Sequence, residues 1–407
     1  MTRRLLKMGW RNVLRNRRRT LITGLAIGIG LACMIFMDAL ILGWSEQIVL
    51  SATDNWMGDA QIHREGFRTT GDIELTIARP DSIGAMLSRS PDVTAWTGRV
   101  ETPATIQSAY QFRSVVLRGI DPGTERNVSM LEAAVDTGGY FAGDSTDLIV
   151  GRKLALDLDA ELGDIVVVTV ATADSGLAQN MFRISGICAF GSDELDRYSA
   201  FVRIGVARGM LGIGDGIHEI AIRLSDYRLG MNDSLAIWRE WSSFGNEALG
   251  WPDLLPSMKA LLGMTDRSKV LFALILFGIV VFIIVNTLFM SIYERVFEFG
   301  VIRAIGTRSS SVGLMVLFES ASLGFISIVI GSVIGFLVCW LFSLVGIDFT
   351  GVEISGVLMT RPTYTVLRLY QYVVYPLGML IFTVIAGIYP AVHASRLVPA
   401  EAMRKSF

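Results

Sequence analysis

Four long apolar runs, residues 20–43, 270–293, 312–345 and 372–392, constrain this chain more than any other feature of it. The first holds 24 residues, which as a helix extend about 36 Å, enough to cross a hydrocarbon core of roughly 30 Å. Such runs have no place on a water-solvated surface. The whole chain of 407 residues is 52% hydrophobic and only 18% charged, with a mean hydropathy of +0.50, yet residues 44–269 read like an ordinary globular protein. The expectation is an integral membrane protein: four transmembrane α-helices, with a large α+β extracytoplasmic domain inserted between helices 1 and 2. A disordered chain, a disulfide scaffold and a nucleic-acid binder are excluded, because net charge is −2 and cysteines number three.

Charge sets the expected orientation. Arg3, Arg4, Lys7, Arg11, Arg15, Arg17, Arg18 and Arg19 precede the first run, with no acidic residue among positions 1–19. By the positive-inside rule the N-terminus is cytoplasmic. Segment 294–311 agrees, setting Arg295, Arg303 and Arg308 against Glu294 and Glu298, and so does the tail 393–407, with Arg396, Arg404 and Lys405 against Glu401. Segment 44–269 carries 31 acidic and 20 basic residues, a net of −11, and falls outside, as does the short loop 346–371. A cleaved signal peptide is the rival reading. Its apolar region would be about 7 to 15 residues, and this run is longer, with Asp38, Trp44 and Glu46 at its outer end. Within residues 1–19, Leu5, Leu6, Trp10, Val13 and Leu14 share one helical face opposite the cations. That fits either an amphipathic helix in the membrane interface or a basic stop that only sets topology.

Short β-branched stretches broken by turn residues predict mixed structure in 44–269. Strands are expected at 114–117, stopped by Gly119 and Asp121-Pro122, and at 147–150, 201–204 and 219–224. Helices are expected at 152–162, ending on Gly163, and at 232–244, with Leu235, Trp238 and Trp241 inward. Segments 165–170 and 182–187 pair as a hairpin whose connection, 171–181, holds Asp174, Ser175 and Gly176 as turn formers. Cys188 is the one cysteine in this domain, so no disulfide forms within it.

Chemistry of its own is not specified. The nearest approach to a P-loop, residues 186–192, lacks the lysine that reaches phosphate. Gly212, Gly214 and Gly216 have neither the spacing nor the frame of a dinucleotide loop. His63, His218 and His393 are too far apart for a local zinc motif. Asp38 and Glu319, near run ends, are placed where snorkelling is inexpensive, with a packing role favoured over an ion relay.

The segment Glu294-Arg295-Val296-Phe297-Glu298-Phe299-Gly300-Val301-Ile302-Arg303-Ala304-Ile305-Gly306 resembles the ER-x-x-E-[FI]-G-x-x-RA-[IL]-G signature of MacB-like and FtsX-like ABC transporter permeases. Tyr389-Pro390-Ala391, Ala394, Arg396, Pro399-Ala400-Glu401-Ala402 and Arg404 look like that family's closing signature. Within the family the outer domain is most similar to lipoprotein-releasing (Lol-type) permease subunits, through Gly58-Asp59-Ala60-Gln61-Ile62-His63, Gly119-Ile120-Asp121-Pro122, Gly151-Arg152-Lys153-Leu154-Ala155 with Gly163-Asp164, and residues 182–186 followed by Gly191-Ser192-Asp193-Glu194-Leu195-Asp196.

The resemblance implies a bacterial inner-membrane permease without its own ATPase, releasing lipoproteins toward the outer membrane. It implies as partners an ABC ATPase dimer that holds ATP and Mg, a second permease copy or homologue, a periplasmic lipoprotein chaperone, lipoprotein cargo and membrane lipids. Glu294, Arg295, Phe297, Glu298, Gly300, Arg303, Ala304 and Gly306 become the ATPase-coupling residues. Tyr293, Phe297, Val301 and Ile305 recur every four positions as an apolar stripe, leaving Glu294, Arg295, Glu298 and Arg303 available for polar contacts. Met34, Phe36, Met37, Phe282 and Phe289 are candidates to line a lipid cavity, and Asp174, Ser175 and Gly176 to make a hairpin contact. The hairpin departs from the chaperone-recruiting subunit's, being shorter and without proline, which leaves the cargo-receiving partner subunit and a homodimeric permease open. An FtsX-like mechanotransmitter and a MacB-like exporter of peptides or small molecules are the alternatives.

Overall fold

Backbone polar groups in lipid find no water, so a spanning segment has to satisfy them internally, and a helix does this within one segment. The computed structural model of the chain describes residues 11, 15, 17–141, 143–232, 234–354, 357–359 and 362–398. The amphipathic pattern at 3–15, apart from Arg11 and Arg15, and the signature residues beyond 398 lie outside the described residues. The chain divides into two compact units, one comprising Met1–Ser45, Gly263–Asp348 and Pro362–Phe407, the other Glu46–Leu262 and Phe349–Arg361.

Five helices organise the first unit: α1 (Arg17–Ala52), α2 (Pro256–Glu294), the short α3 (Val296–Ala304), α4 (Ser309–Val345) and α5 (Gln371–Ser395). All but α3 are long and apolar enough to cross a membrane. α1 and α2 run well past the apolar runs that predict them, whereas α4 stops with its run at Val345, where Gly346 turns to φ 72°. Where α1 crosses α4 the side chains vanish: a Cβ on Gly331 would lie 2.6 Å from the Gly28 carbonyl oxygen and 2.9 Å from the Leu31 Cβ. Small residues let helix backbones approach in this way. Ser327 and Thr383 turn their hydroxyls back to the Leu323 and Met379 carbonyls, each at 2.7 Å, so neither is left unpaired among apolar neighbours.

Asp38 and Glu319 do not snorkel. Both are buried, at 5% and 4% exposure. Asp38 accepts a hydrogen bond from Gln371 Nε2 at 2.9 Å and one from the Tyr370 hydroxyl, with Lys269 Nζ at 3.7 Å. Of the interface and helix-packing roles expected for them, the structure shows helix packing, because α1 and α4 place these carboxylates against polar side chains of neighbouring helices.

The second unit is built on one ten-stranded sheet: β1 (Ala60–Arg64), β2 (Val93–Gln107), β3 (Phe112–Ile120), β4 (Val135–Gly138), β5 (Asp147–Gly151), β6 (Ile165–Ala171), β7 (Leu177–Cys188), β8 (Ser199–Arg203), β9 (Glu219–Leu224) and β10 (Asn246–Gly250). Its order is β10-β1-β9-β2-β3-β8-β5-β7-β4, with β6 bridging β2 and β7. Pairing is antiparallel except β3 with β8 and β5 with β7. Alternate residues such as Val100, Leu117, Val168, Ile184 and Ile222 face a core closed by Trp238 and Trp241. A separate two-stranded ladder, β11 (Glu353–Ile354) with β12 (Val357–Leu358), belongs to the same unit.

Several local expectations change in the fold. β3 stops before Asp121-Pro122 as expected, but Gly119 lies inside it: a Cβ there would meet the Ala207 Cβ at 2.4 Å, so glycine admits the helix Ile204–Leu211. The helix after β5 covers only Arg152–Asp157, since Asp159 turns to φ 50°. The helix expected over 232–244 is Ala236–Trp241, stopped before Phe244 and Gly245, both at positive φ. The β6–β7 connection shrinks to residues 172–176, because Leu177–Met181 continue the ladder against Val167–Ala171.

The α1–α4 crossing generates a prediction. Gly331→Leu should lower the melting temperature of the purified protein by the equivalent of about 1–3 kcal/mol, the range for overpacking. Gly278→Leu, where an added Cβ meets nothing within 4 Å, should leave it unchanged.

Candidate functional site

α3 starts where α2 stops, at Arg295, whose backbone leaves helical geometry with φ −119° and ψ 14°. The helix carries Glu298 in its first turn and Arg303 in its last, each complementing the nearby end of the helix dipole. Gly306, at φ +98°, allows the chain to turn toward α4. One face is fastened inward: Phe299 is 1% exposed and shares a cluster with Ile292, Val312, Met315, Val316, Ala391 and Ala394.

The polar residues of this segment are engaged within the chain rather than left over for a partner. Arg295 Nε donates to Glu298 Oε2 at 2.9 Å and Nη1 to Glu319 Oε2 at 3.2 Å, while the guanidinium lies 5.1 Å from the Phe299 ring centre. Glu319 also accepts from Ser291 Oγ at 2.9 Å. Arg15 Nη2 reaches Glu298 at 3.0 Å, and Arg19 pairs with Glu294 and donates to Ser291 at 3.0 Å. Arg303 donates to the Ser395 carbonyl at 3.3 Å and to the Leu397 carbonyl. α3 is thus tied to the start of α1, to α4 and to the end of α5. The hydrogen bond from Arg295, joined by Arg15, holds the Glu298 carboxyl below the ordinary carboxylate range. Sequence reasoning left Arg15 and Arg19 as topology signals; the pairing across 283 and 275 positions has no local signature.

Uncovered apolar side chains stand on α3 and at its two flanks: Phe297 within it, Tyr293 at the end of α2 and Ile305 just past α3. Tyr293 is 64% exposed, Phe297 51% and Ile305 80%. Val301 is half-buried, Gly300 is buried, and Ala304 and Gly306 are exposed.

The remaining candidates do not converge. Met34 and Met37 line a small cavity of about 20 Å³ with Asp38, Lys269 and Tyr375. Phe36 meets Phe342 at 5.3 Å between ring centres, Phe289 meets Tyr389 at 5.3 Å and His393 at 5.4 Å, and Phe282 faces outward at 74% exposure. The five therefore do not surround one cavity within this chain, because their helical faces diverge. Asp174, Ser175 and Gly176 form the tip of the β6–β7 hairpin, where Thr172 bonds Asp174 and accepts from the Gly176 amide at 3.0 Å.

A buried ion cluster in the sheet unit has no counterpart in the sequence reading. Arg99 on β2, 0% exposed, donates through Nε and Nη2 to both oxygens of Glu125 at 2.9 and 2.6 Å, and through Nη1 to Glu219 at 2.6 Å. Its Nη2 also donates to the Trp56 carbonyl at 2.7 Å, and the guanidinium lies 3.7 Å from the Trp56 ring centre. His63 Nε2 is 3.3 Å from the second Glu219 oxygen. Burial alone would push Glu219 up, but His63 and Arg99 outweigh it and hold the carboxyl at about 2 rather than 4.5.

Four membrane helices, an α+β domain inserted after the first and a short tethered helix between the second and third define a multi-pass transport permease. The family description "MacB-like periplasmic core domain" matches residues 20–228, and "FtsX-like permease C-terminal" matches 270–399. The chain belongs to this MacB-like, FtsX-like family of ABC transporter permeases. Among its relatives, the lipoprotein-releasing system transmembrane protein LolC of Xylella fastidiosa is 23% identical over 79% of this chain and 80% of the relative. The macrolide export ATP-binding/permease protein MacB of Agrobacterium fabrum is 24% identical over 98% of this chain and 60% of the relative. The solved periplasmic region of MacB from Actinobacillus actinomycetemcomitans is similar at 14% identity and a TM-score of 0.34, covering 50% of this chain and 94% of that one.

The Glu219 cluster predicts an acid response. A carboxyl depressed in the fold stabilises fully above its free value of 4.5, and that contribution is lost as pH falls from there through about 2. The melting temperature of the wild type should therefore fall between about pH 5 and pH 3. Glu219→Gln should melt lower at neutral pH and lose less over that interval.

Proposed function

We propose that this chain is a permease subunit of a lipoprotein-releasing system, driven through α3 by an ATPase on a separate chain that holds ATP and Mg. The observation that carries the reading is the contrast, on and beside α3, between tied charges and uncovered apolar side chains. Its charged residues are bound to α1, α4 and α5, while Tyr293, Phe297 and Ile305 are left uncovered beside them. A helix held by ion pairs, with aromatic and aliphatic anchors exposed on it and at its flanks, suits an apolar groove on a partner, and aromatic anchors supply much of the energy of such contacts. Motion imposed on α3 would pass to three helices at once.

In this reading α3 and both termini are cytoplasmic, the sheet unit is periplasmic, and the membrane is the bacterial inner membrane. The basic residues around the start of α1 support that orientation. Acyl chains leaving the bilayer lose about 0.8 kcal/mol per methylene, which is why release needs ATP. The outward Phe282 is positioned to meet lipid, acyl chain or a second permease copy rather than an internal cavity. The short, self-bonded tip at 172–176, without proline, gives little support to chaperone docking there and favours a cargo-receiving subunit or a homodimer. Export of peptides or small molecules is the second reading, favoured by the MacB relative, whose alignment covers 98% of this chain.

Phe297→Asp should reduce lipoprotein-stimulated ATP hydrolysis and lipoprotein release at least about tenfold in proteoliposomes containing the ATPase, as expected for loss of a central anchor. Insertion should be unchanged. Glu298→Lys, which sets three cations together, should uncouple the two activities, leaving hydrolysis without release. Normal ATP-driven release by both variants would remove the coupling role of α3; normal coupling with no lipoprotein released, but an exported solute, would favour the second reading.

A further inference from the structure

The sheet unit contains a cavity of about 530 Å³, within the size range of pockets that hold small ligands. One part of its wall is apolar, including Trp56, Phe67, Leu254 and Leu255. The rest is polar, and its charges away from the rim are paired. Arg118 is paired with Glu101 at 2.8 Å, and Glu219 is paired with Arg99 and His63. Arg68 is exposed and donates only to the Asp253 and Leu254 carbonyls, at 3.5 and 3.4 Å; deeper in the wall His63 Nδ1 has no partner, and Asn55 and Ser192, both 5% exposed, line the cavity with side chains that have no hydrogen-bond partner among the described residues. Gln61 lies beside them with its amide nitrogen committed to the Met57 carbonyl at 3.0 Å.

A carboxamide and a hydroxyl held in a largely buried wall with nothing to bond are groups awaiting a partner. The partner has to be neutral where it meets the buried wall, since the two unpaired charges of the lining, Arg68 and Glu194, are exposed and opposite in sign. It has to offer donors and acceptors together with an apolar group. A fatty acyl chain would cover Trp56 and Leu255 but leave Asn55 and Ser192 unmatched. A peptide backbone carries one donor and one acceptor per residue, and its side chain supplies the apolar part. We propose that this cavity binds an uncharged, extended peptide segment with one apolar side chain seated against Trp56, Phe67 and Leu255. An occupant would touch Trp56 directly, the residue whose carbonyl and ring Arg99 holds. The inference does not rest on coupling to an ATPase.

The test uses the full chain in lipid nanodiscs and a trifluoroacetyl-capped, C-terminally amidated hexapeptide of glycine and serine with leucine at its centre, read by fluorine NMR line broadening. Saturable binding is expected, at least about tenfold tighter than that of the same peptide with serine at its centre. Asn55→Leu, which removes the polar match, and Leu255→Trp, which fills the cavity, should each weaken binding at least about tenfold without changing the melting temperature. Ser192→Ala, which removes one oxygen, replaces Asn55→Leu if that variant melts lower. No saturable binding, equal binding of the two peptides, or unchanged affinity in a folded variant would overturn the proposal.

Discussion

A charge taken out of water has to be neutralised where it sits, and both units of this protein are organised around that requirement. Arg99, without solvent contact, is surrounded by Glu125, Glu219 and the Trp56 ring. Glu319, buried in α4, is answered by Ser291 and Arg295. Asp38 in α1 is answered by Tyr370, Gln371 and Lys269. Burying a pair gains little over an apolar core, but breaking one leaves a charge stranded. Such sites therefore select one arrangement of elements more than they add to its stability. Arg99 selects the position of the π-helical segment Thr53–Met57, which follows α1, against β2 and β9; Glu319 selects the position of α3.

That selection explains why α3 has a defined outer face. A short helix of nine residues is marginal by itself. Here Arg295, Glu298 and Arg303 fasten it to three other helices, and Phe299 anchors it in an apolar cluster. Tyr293, Phe297 and Ile305 are consequently presented on or beside a fastened backbone, which leaves less backbone freedom to lose on association. The charged residues of the signature act on the helix, and the apolar ones are available beyond it.

The same logic separates the two kinds of close packing. Gly28 against Gly331 brings helices together where lipid gives no hydrophobic driving force between them, so van der Waals contact and small residues do the work. In the sheet unit, Gly119 beneath Ala207 serves an ordinary aqueous core, where burial of Leu117, Ile184 and Ile222 provides the driving force.

The sequence by itself determined the four membrane helices, the inserted α+β domain and the family, because hydropathy, length and a contiguous signature are all local properties of the chain. The hairpin tip at Asp174 to Gly176 was legible for the same reason, through its turn formers. Tertiary structure alone decided the rest. Arg15 and Arg19 meet Glu298 and Glu294, Arg99 meets Glu125 and Glu219, and Asn55 and Ser192 line one cavity, across separations that carry no periodicity. It also dispersed Met34, Phe36, Met37, Phe282 and Phe289, since the faces of a helix apolar on every side cannot be told apart until its neighbours are in place.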